Sequence, residues 1–345
     1  MSLGWIEKRI QNELTLKRYR RFKRDKIAVV SVWGLLALFF VSFTAELWAN
    51  NKPHLMYYQG RLYAPLFKDY HPTEFDRSDI YVMDYRQLEM GGKDWAIWPL
   101  IQWDPFEANT RIANYPAPPT RENPFGTDDS GRDVLTRVLY GLRYTLAYAI
   151  GSWILMYIVG CMIGAAMGYW GGKLDLFGMR VVEVIQNTPV LFVTITLISI
   201  FTPGLPLLIL ITVLFRWTGI SLYMRGQFLQ LRKREYVEAA RALGASHGRI
   251  ILKHILPNAL TPIVTFAPFT IAANVYYLSI MDYLGLGLRP PTPSWGELMS
   301  QAQKHFTTSE WLVWSSLGAV VLTLTLLINI GLAIRDAFDA RSSVG

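Results

Sequence analysis

The chain has 345 residues, of which 52% are hydrophobic, yet it also carries 34 lysines and arginines against 26 acidic residues. A soluble protein with this balance would have to bury an unusually large apolar surface, whereas lipid solvates such a surface directly. The formal net charge of +8 could indicate nucleic-acid binding, but residues 46–143 contain 14 acidic and 11 basic residues. The basic excess therefore lies beside the apolar stretches, as in membrane proteins, and argues against a nucleic-acid-binding face.

The first 26 residues are polar and basic, with nine lysines and arginines. They do not resemble a cleavable signal peptide, and the apolar stretch that follows is as long as a full membrane span. Two interpretations remain open for residues 1–26. They form an amphipathic helix on the inner leaflet, or they are a basic flank that only sets the topology.

Several stretches without a charged residue are long enough to cross a bilayer core, which needs about 20 apolar residues. They are residues 27–45, 144–170, 184–215, 255–281 and 311–334. The stretch 184–215 is too long for one untilted span and contains a Pro-Gly-Leu-Pro turn signal at 203–206. Division at this turn predicts an all-α membrane protein with six transmembrane helices.

The distribution of positive charge tests this division. With six spans, twenty lysines and arginines fall on one side: in residues 1–26, around Lys173 and Arg180, in 225–254 and in 335–345. The short loop 282–310 on the other side carries only two. Five spans would separate the two most basic segments, so the positive-inside rule favours six spans, with both termini in the cytoplasm.

The predicted organisation has a large extracytoplasmic insert between the first two helices. In chain order the segments are the N-terminus 1–26, span one 27–45, the periplasmic insert 46–143, span two 144–170, span three 183–202, span four 205–224, a cytoplasmic loop 225–254, span five 255–281, a periplasmic loop 282–310, span six 311–334 and the cytoplasmic tail 335–345. The insert is rich in Tyr, Trp and Pro. It could be a lid on the membrane surface, a docking surface for an outside partner, or both; the fold of residues 50–120 is left open.

The cytoplasmic loop has the pattern of a helix, a turn and a second helix. Residues 238–243 are good helix formers. Gly244 supplies a left-handed C-terminal cap, and Ser246 is an N-cap for the second helix. Pro257 marks the beginning of the next span. We therefore expect a short, rigid, basic lever that is fused to a membrane helix.

The spacing in this loop resembles the EAA loop of ABC importer permeases. The family pattern is Glu-Ala-Ala, three residues, Gly, nine residues, Ile, one residue, Leu-Pro; this chain departs from it only in having His254 at the isoleucine position. In the family, this loop is the coupling helix that fits a groove on the ATPase subunit. The resemblance implies an ATPase-coupling role for Glu238, Ala239, Ala240, Arg241, Gly244 and Pro257.

Two further blocks narrow the resemblance. Residues 123–135 read Asn-Pro-Phe-Gly-Thr-Asp-Asp-Ser-Gly-Arg-Asp-Val-Leu, and residues 283–296 read Tyr-Leu-Gly-Leu-Gly-Leu-Arg-Pro-Pro-Thr-Pro-Ser-Trp-Gly. Both resemble the second permease of dipeptide and oligopeptide importers, the OppC/DppC group. The large insert makes the chain most similar to the YejE-like permeases, whose importers are linked to oligopeptides and microcin C.

This resemblance implies a permease subunit in the bacterial inner membrane that moves peptides or peptide-like compounds into the cytoplasm by alternating access. The implied partners are a second homologous permease in a heterodimer, ATP-binding ATPase subunits and a periplasmic substrate-binding protein. No Gly-x4-Gly-Lys-Ser/Thr motif occurs in the sequence, so we expect ATP and magnesium on the partner subunits and no cofactor in this chain.

We expect no catalytic residue and no metal site. The five histidines are scattered without metal-ligand spacing, the single cysteine Cys161 has no partner, and no nucleophile lies near a base in the pattern. A secondary transporter or channel would need polar or acidic residues deep in several spans, and an intramembrane protease would need paired catalytic groups there. Neither alternative explains the EAA-type spacing.

Arg216 is the one charge that interrupts the predicted spans. A charge at this depth costs about 2.5–3.5 kcal/mol on insertion scales, so it should be paired, reach an interface or face a wet cavity. It is either a residue of the translocation path that attracts a peptide carboxylate or another anion, or part of a helix that is shifted toward an interface.

Three glycines, Gly160, Gly164 and Gly168, repeat every four residues in span two. Small residues at this spacing allow helices to approach closely in lipid. They indicate either packing inside this subunit, which is the simpler interpretation, or a subunit interface.

Overall fold

The computed structural model describes residue 7, residues 12–78 and residues 80–338, except for the side chains at 261 and 262. The predicted segments 1–26 and 335–345 therefore lie partly outside the described residues. In chain order the helices are α1 (Glu13–Arg24), α2 (Lys26–Phe43), α3 (Ala45–Trp48), α4 (Val134–Trp170), α5 (Gly172–Asn187), α6 (Val190–Ile200), α7 (Leu205–Leu231), α8 (Glu235–Ala242), α9 (His247–Arg249), α10 (Leu256–Tyr283), α11 (Trp295–Lys304) and α12 (Glu310–Phe338).

The described residues are mostly helical, as predicted. Among them, α2, α4, α7, α10 and α12 are long and apolar enough to cross a membrane. A sixth span is possible only if α5 and α6 are counted together, because they are bent by 75° at a short break. The break falls at Thr188-Pro189, where the extended Thr188 ends α5 and Pro189 has no N–H to continue the helix. The segment 183–202 is thus not one straight helix.

Helix α4 begins at Val134, ten residues before the predicted span 144–170. The carboxylate of Asp133 caps its N-terminus by accepting a hydrogen bond from the Thr136 N–H at 2.7 Å. Burial raises the pKa of the Asp133 carboxyl above its ordinary value. The charged residues Arg137 and Arg143 interrupt the apolar pattern of this first part, which is why hydropathy alone does not predict it.

The chain forms two compact units. Unit one comprises the described residues of Met1–Leu35, Ala147–Leu278 and Leu322–Gly345, and unit two comprises Leu36–Leu146 and Ser279–Val321. The boundaries between the units fall within α2, α4, α10 and α12.

Unit two contains a small antiparallel sheet in the predicted insert, which the all-α prediction did not include. Its strands are β1 (Leu55–Tyr58), β2 (Arg61–Tyr63) and β3 (Trp95–Ile97), in the order β2-β1-β3. Gln59 and Gly60 have φ values of 47° and 84°, so the hairpin closes through a two-residue turn with both residues left-handed. Met56, Tyr58 and Tyr63 of the sheet form a largely aromatic core with Phe75 and Tyr85 of the loop that follows.

A buried ion-pair network in unit two joins the sequence block at 123–135 to Glu297, the residue directly after the block at 283–296. Arg132 donates to Asp128 at 2.7 Å and to Glu297 at 2.9 Å. Arg137, whose side chain is fully buried, donates to the other oxygen of Glu297 and to the carbonyl oxygen of Pro105 at 2.9 Å. Glu297 lies in α11, three residues after its cap Ser294. The network thus holds the segment around Arg132 and Arg137 against the start of α11.

Helices α4 and α7 pack closely in unit one along the three glycines of span two. A Cβ atom on Gly164 would overlap the carbonyl oxygen of Ser221, and one on Gly168 would lie 2.6 Å from that of Arg225. A Cβ atom on Gly160 would lie 2.6 Å from the carbonyl oxygen of Trp217. All three glycines therefore face α7 of the same chain.

Substitution Gly164→Ala tests this packing. The added methyl group has no space against the α7 backbone, so we expect a loss of about 1–3 kcal/mol in the free energy of unfolding. The control is Gly318→Ala in α12, where a Cβ atom meets nothing within 4 Å. Thermal unfolding of the detergent-solubilised protein should show a lower Tm for Gly164→Ala and an unchanged or higher Tm for Gly318→Ala. Equal Tm values would contradict the close packing.

Candidate functional site

Helix α8 carries the Glu-Ala-Ala triplet and is attached to unit one by a single fully buried side chain. Val237 is the only buried residue among its eight, and it enters a hydrophobic cluster. The buried members of this cluster are Tyr169, Met224, Phe228, Val237, Ile250, Ile255, Ala259 and Ile263. They come from α4, α7, α8, α10 and the segment between α9 and α10. The position of α8 is therefore set by the ends of three long helices.

Helix α8 ends in a Schellman turn. The Ala245 N–H donates to the Ala240 carbonyl oxygen, and the Gly244 N–H donates to that of Arg241, both at 3.0 Å. Gly244 has a φ of +78°, in the left-handed region that favours glycine. The prediction of a left-handed cap at Gly244 is confirmed.

The second helix of the loop begins as predicted and then widens. The Ser246 hydroxyl accepts a hydrogen bond from the Arg249 N–H at 3.4 Å, which confirms Ser246 as an N-cap. Residues Ile250–Ile255 form a π-helix that runs directly into α10. Pro257, in the first turn of α10, has no N–H to donate, so a helix that passes through it cannot keep an unbroken series of i→i−4 bonds. The sequence pattern did not predict this π-helical segment.

The exposed side of α8 contains most of the residues for which the resemblance implies a coupling role. Glu238, Ala239 and Arg241 are exposed, and Ala240 is half-buried. Leu243, which the sequence reasoning did not single out, is 88% exposed at the C-cap of the helix. The signal in the sequence was its position six residues after Val237, because this spacing places the two side chains on different faces of a helix. Leu243 therefore adds an apolar side chain to the exposed surface next to Arg241.

Three polar contacts stabilise the helix ends around α8, and the sequence analysis predicted none of them. Arg225 of α7 forms a bidentate ion pair with Asp175 of α5, with Nη2 2.7 Å from Oδ2. Arg232 donates to the carbonyl oxygen of Tyr169 at 2.9 Å, which satisfies one of the free carbonyls at the end of α4. The Tyr169 hydroxyl in turn lies 2.7 Å from Nδ1 of His247. The Arg225 pair thus joins α7 to α5, and Arg232 and His247 join the loop to the end of α4.

Arg216 lies elsewhere in unit one, twelfth in the 27-residue helix α7. Its Nη1 lies 3.4 Å from Oδ1 of Asn274, and its guanidinium carbon lies 5.0 Å from the centre of the Tyr277 ring. Asn274 is fully buried, and its Nδ2 donates to the carbonyl oxygen of Ala149 at 3.1 Å. Arg216 also borders an open cavity of about 400 Å³.

The six coupling candidates therefore lie on one continuous segment, from α8 through the turn to the start of α10. Arg216 lies on a different helix, α7, beside its cavity. The three glycines serve the packing of α4 on α7. Met224 and Phe228, which lie in α7 beside Gly164 and Gly168, belong to the same buried cluster as Val237.

The turn at Gly244 is open to a direct test by paired alanine substitutions. Gly244→Ala forces a left-handed backbone on alanine, at a cost of about 1–2 kcal/mol. The control Gly248→Ala has equal open space and no left-handed φ. Limited trypsin digestion followed by mass spectrometry should show cleavage after Arg241 and Arg249 roughly 5–30 times faster for Gly244→Ala, in proportion to the lost local stability. Identical cleavage rates in the two variants would contradict the assignment of the strain to Gly244.

Two family descriptions match the sequence. Residues 160–344 match "Binding-protein-dependent transport system inner membrane component". Residues 17–79 match "N-terminal TM domain of oligopeptide transport permease C". The first match includes the whole segment from α8 to α12.

Full-length relatives agree with these matches. The chain is 39% identical over 334 residues to the inner membrane ABC transporter permease protein YejE of Escherichia coli (strain K12), covering 95% of this chain and 97% of the relative. It is 35% identical over 357 aligned positions to the peptidoglycan transport system permease protein YejE of Agrobacterium fabrum, covering 95% and 93%. It is 36% identical over 217 residues to the oligopeptide transport system permease protein OppC of Haemophilus influenzae, covering 63% and 70%.

The matches confirm the resemblance to the OppC/DppC group and to the YejE-like permeases. An inner membrane component is also expected to contain helices that are long and apolar enough to cross a membrane, as α2, α4, α7, α10 and α12 are. This chain therefore belongs to the binding-protein-dependent transport system inner membrane components, as an ABC transporter permease of the YejE and OppC type.

Proposed function

We propose that this chain is the membrane permease of an importer that moves peptides or peptide-like compounds into the cytoplasm. Separate ATPase subunits supply the energy, and the permease alternates between outward and inward access. The observation that carries the proposal is the exposed side of α8, where Glu238, Ala239 and Leu243 project from a helix that Val237 anchors. This surface is suited to a groove on an ATP-binding subunit.

The proposed coupling is mechanical. A force on α8 passes through the Val237 cluster into the ends of α4 and α7, and through Gly244 and the π-helix into α10. The small side chains of Ala239 and Ala240 permit close docking of a partner. Gly244 fixes the angle between the two parts of the loop, and Pro257 lies where the loop becomes the membrane helix. In this proposal no residue of the chain is catalytic, and ATP and magnesium bind only to the partner subunits.

The proposed topology places both termini and α8 in the cytoplasm and the insert 46–143 outside. The charge distribution supports this orientation. The insert then offers a docking surface to a periplasmic substrate-binding protein, and several of its large side chains project into solvent, among them Phe67, Tyr81 and Val82. A second homologous permease completes the transport path as a heterodimer partner.

The names of the relatives support a peptide-like substrate class. OppC of Haemophilus influenzae belongs to an oligopeptide transport system, and the Agrobacterium protein belongs to a peptidoglycan transport system. The shared chemistry is a short peptide, free or attached to another group. Microcin C, a peptide-like compound, falls within this class.

Substitution Leu243→Asp tests the coupling surface. A charge within the proposed contact should prevent docking without disturbing the buried cluster, since the side chain is exposed. The matched control is Leu100→Asp in the insert, at a leucine that is 84% exposed. We expect ATP-binding subunits to co-purify under mild detergent with the native chain and with Leu100→Asp, and to be lost with Leu243→Asp.

Uptake of a labelled peptide into proteoliposomes gives the second readout. It should require ATP and should fall to background for Leu243→Asp. Recovery of the chain alone as a stable homo-oligomer, with peptide uptake that survives ATP depletion, would contradict the proposal and favour a secondary transporter.

A further inference from the structure

We propose that Arg216 and the cavity beside it form a binding site for the terminal carboxylate of the transported peptide. The inference rests on the proposed import function and adds a recognition site within the membrane part of this subunit. It is carried by the charge of Arg216, its neutral surroundings and the lining of the cavity.

The charge of Arg216 has no acidic partner in the part of the chain that the structure describes. None of the ion pairs found among those residues includes it. Its one hydrogen-bond acceptor there is the neutral amide of Asn274, at the long distance of 3.4 Å. A guanidinium group has five N–H donors, so most of them remain available to a ligand. A charge that is neither paired nor at an interface requires water or an anion beside it.

The neighbours of Arg216 hold its side chain in place without neutralising it. Asn274 is fixed by its own hydrogen bond to the carbonyl oxygen of Ala149. The ring of Tyr277 lies 5.0 Å from the guanidinium carbon, within the range of a cation–π contact. A guanidinium that is oriented in advance loses less freedom when it binds a planar carboxylate through two parallel hydrogen bonds.

The cavity lining offers an apolar and a hydroxyl surface next to this charge. The hydroxyl groups of Tyr157 and Thr270 lie 3.0 Å apart, and the rings of Tyr223 and Phe266 meet edge to face at 5.0 Å. Phe269 completes the aromatic side. The combination of a fork of donors, hydroxyl groups and aromatic rings matches the last residue of a peptide, in which a carboxylate stands beside a side chain.

The depth of Arg216 favours a substrate group over a lipid headgroup. It is 11 residues from Leu205 and 15 from Leu231, or roughly 17 Å and 22 Å along the helix at 1.5 Å per residue. Lipid phosphates lie at the membrane surfaces, so an anion that reaches this level must enter through the protein. An acidic side chain of the second permease could also reach it, and the experiment distinguishes that source.

The test is a cycle of two ligands and two proteins in the full complex, reconstituted in proteoliposomes with its binding protein. One tripeptide is supplied with a free C-terminal carboxylate or as the C-terminal amide, and ATP-driven uptake is measured for the native chain and for Arg216→Gln. Any preference of the binding protein is the same for both proteins and cancels in the comparison. Arg216→Lys retains the charge without the fork, and Arg335→Gln removes an exposed, paired arginine as the control.

We expect Arg216→Gln to slow uptake of the carboxylate peptide about tenfold, as for loss of a charged hydrogen bond, and to change uptake of the amide less than twofold. The rate of carboxylate-peptide uptake for Arg216→Lys should lie between those of the native chain and Arg216→Gln. Arg335→Gln should match the native chain with both peptides. An equal loss for both peptides, above all with reduced recovery of the second permease, would overturn the proposal in favour of an ion pair between subunits.

Unchanged uptake of both peptides by Arg216→Gln would also overturn the proposal while leaving the import function intact. If Arg216→Gln fails to assemble, the ratio of carboxylate to amide uptake in Arg216→Lys decides, and a native ratio overturns the proposal. Absence of ATP-driven uptake of either peptide by the native complex would instead refute the import function itself, and this inference with it.

Discussion

The burial of Val237 in the cluster at the ends of α4, α7 and α10 is the contact on which the segment from α8 to the start of α10 depends. Helix α8 has eight residues, too few to be stable alone, and no other side chain in it is buried. Its orientation therefore comes from tertiary packing and from the chain on either side. A helix held in this way can present an exposed surface to a partner and still move together with the membrane helices.

The glycines of α4 make this cluster possible. Gly164 and Gly168 let α7 approach closely enough for Met224 and Phe228 to lie beneath Val237. The ion pair between Arg225 and Asp175 and the bond from Arg232 to the end of α4 fix the same region by polar contacts. The close packing of α4 on α7, the apolar cluster and the contacts of Arg225 and Arg232 thus stabilise the same region, on which α8 packs.

The segment from α8 to the start of α10 was the most predictable part of the chain, because each of its local features depends on a few neighbouring residues. A left-handed cap at Gly244 and an N-cap at Ser246 follow from the chemistry of glycine and serine. The start of α4 at Val134 was not predictable from hydropathy, since Arg137 finds its partner Glu297 far along the chain. The break before Pro189 was not predicted, because it lies inside a continuous apolar stretch. The sheet of the insert was not predicted either, because β1 and β3 pair across about 40 residues.

The central claim is that the exposed face of α8 contacts an ATP-binding subunit. The most direct measurement attaches a maleimide photo-cross-linker to Leu243→Cys in a background in which the single native cysteine is replaced by Cys161→Ala. The same reagent on Leu62→Cys in the insert serves as the reference. Illumination of the intact complex should join position 243 to the ATP-binding subunit and leave position 62 free of that product. An intact complex in which position 243 forms no such cross-link would contradict the account.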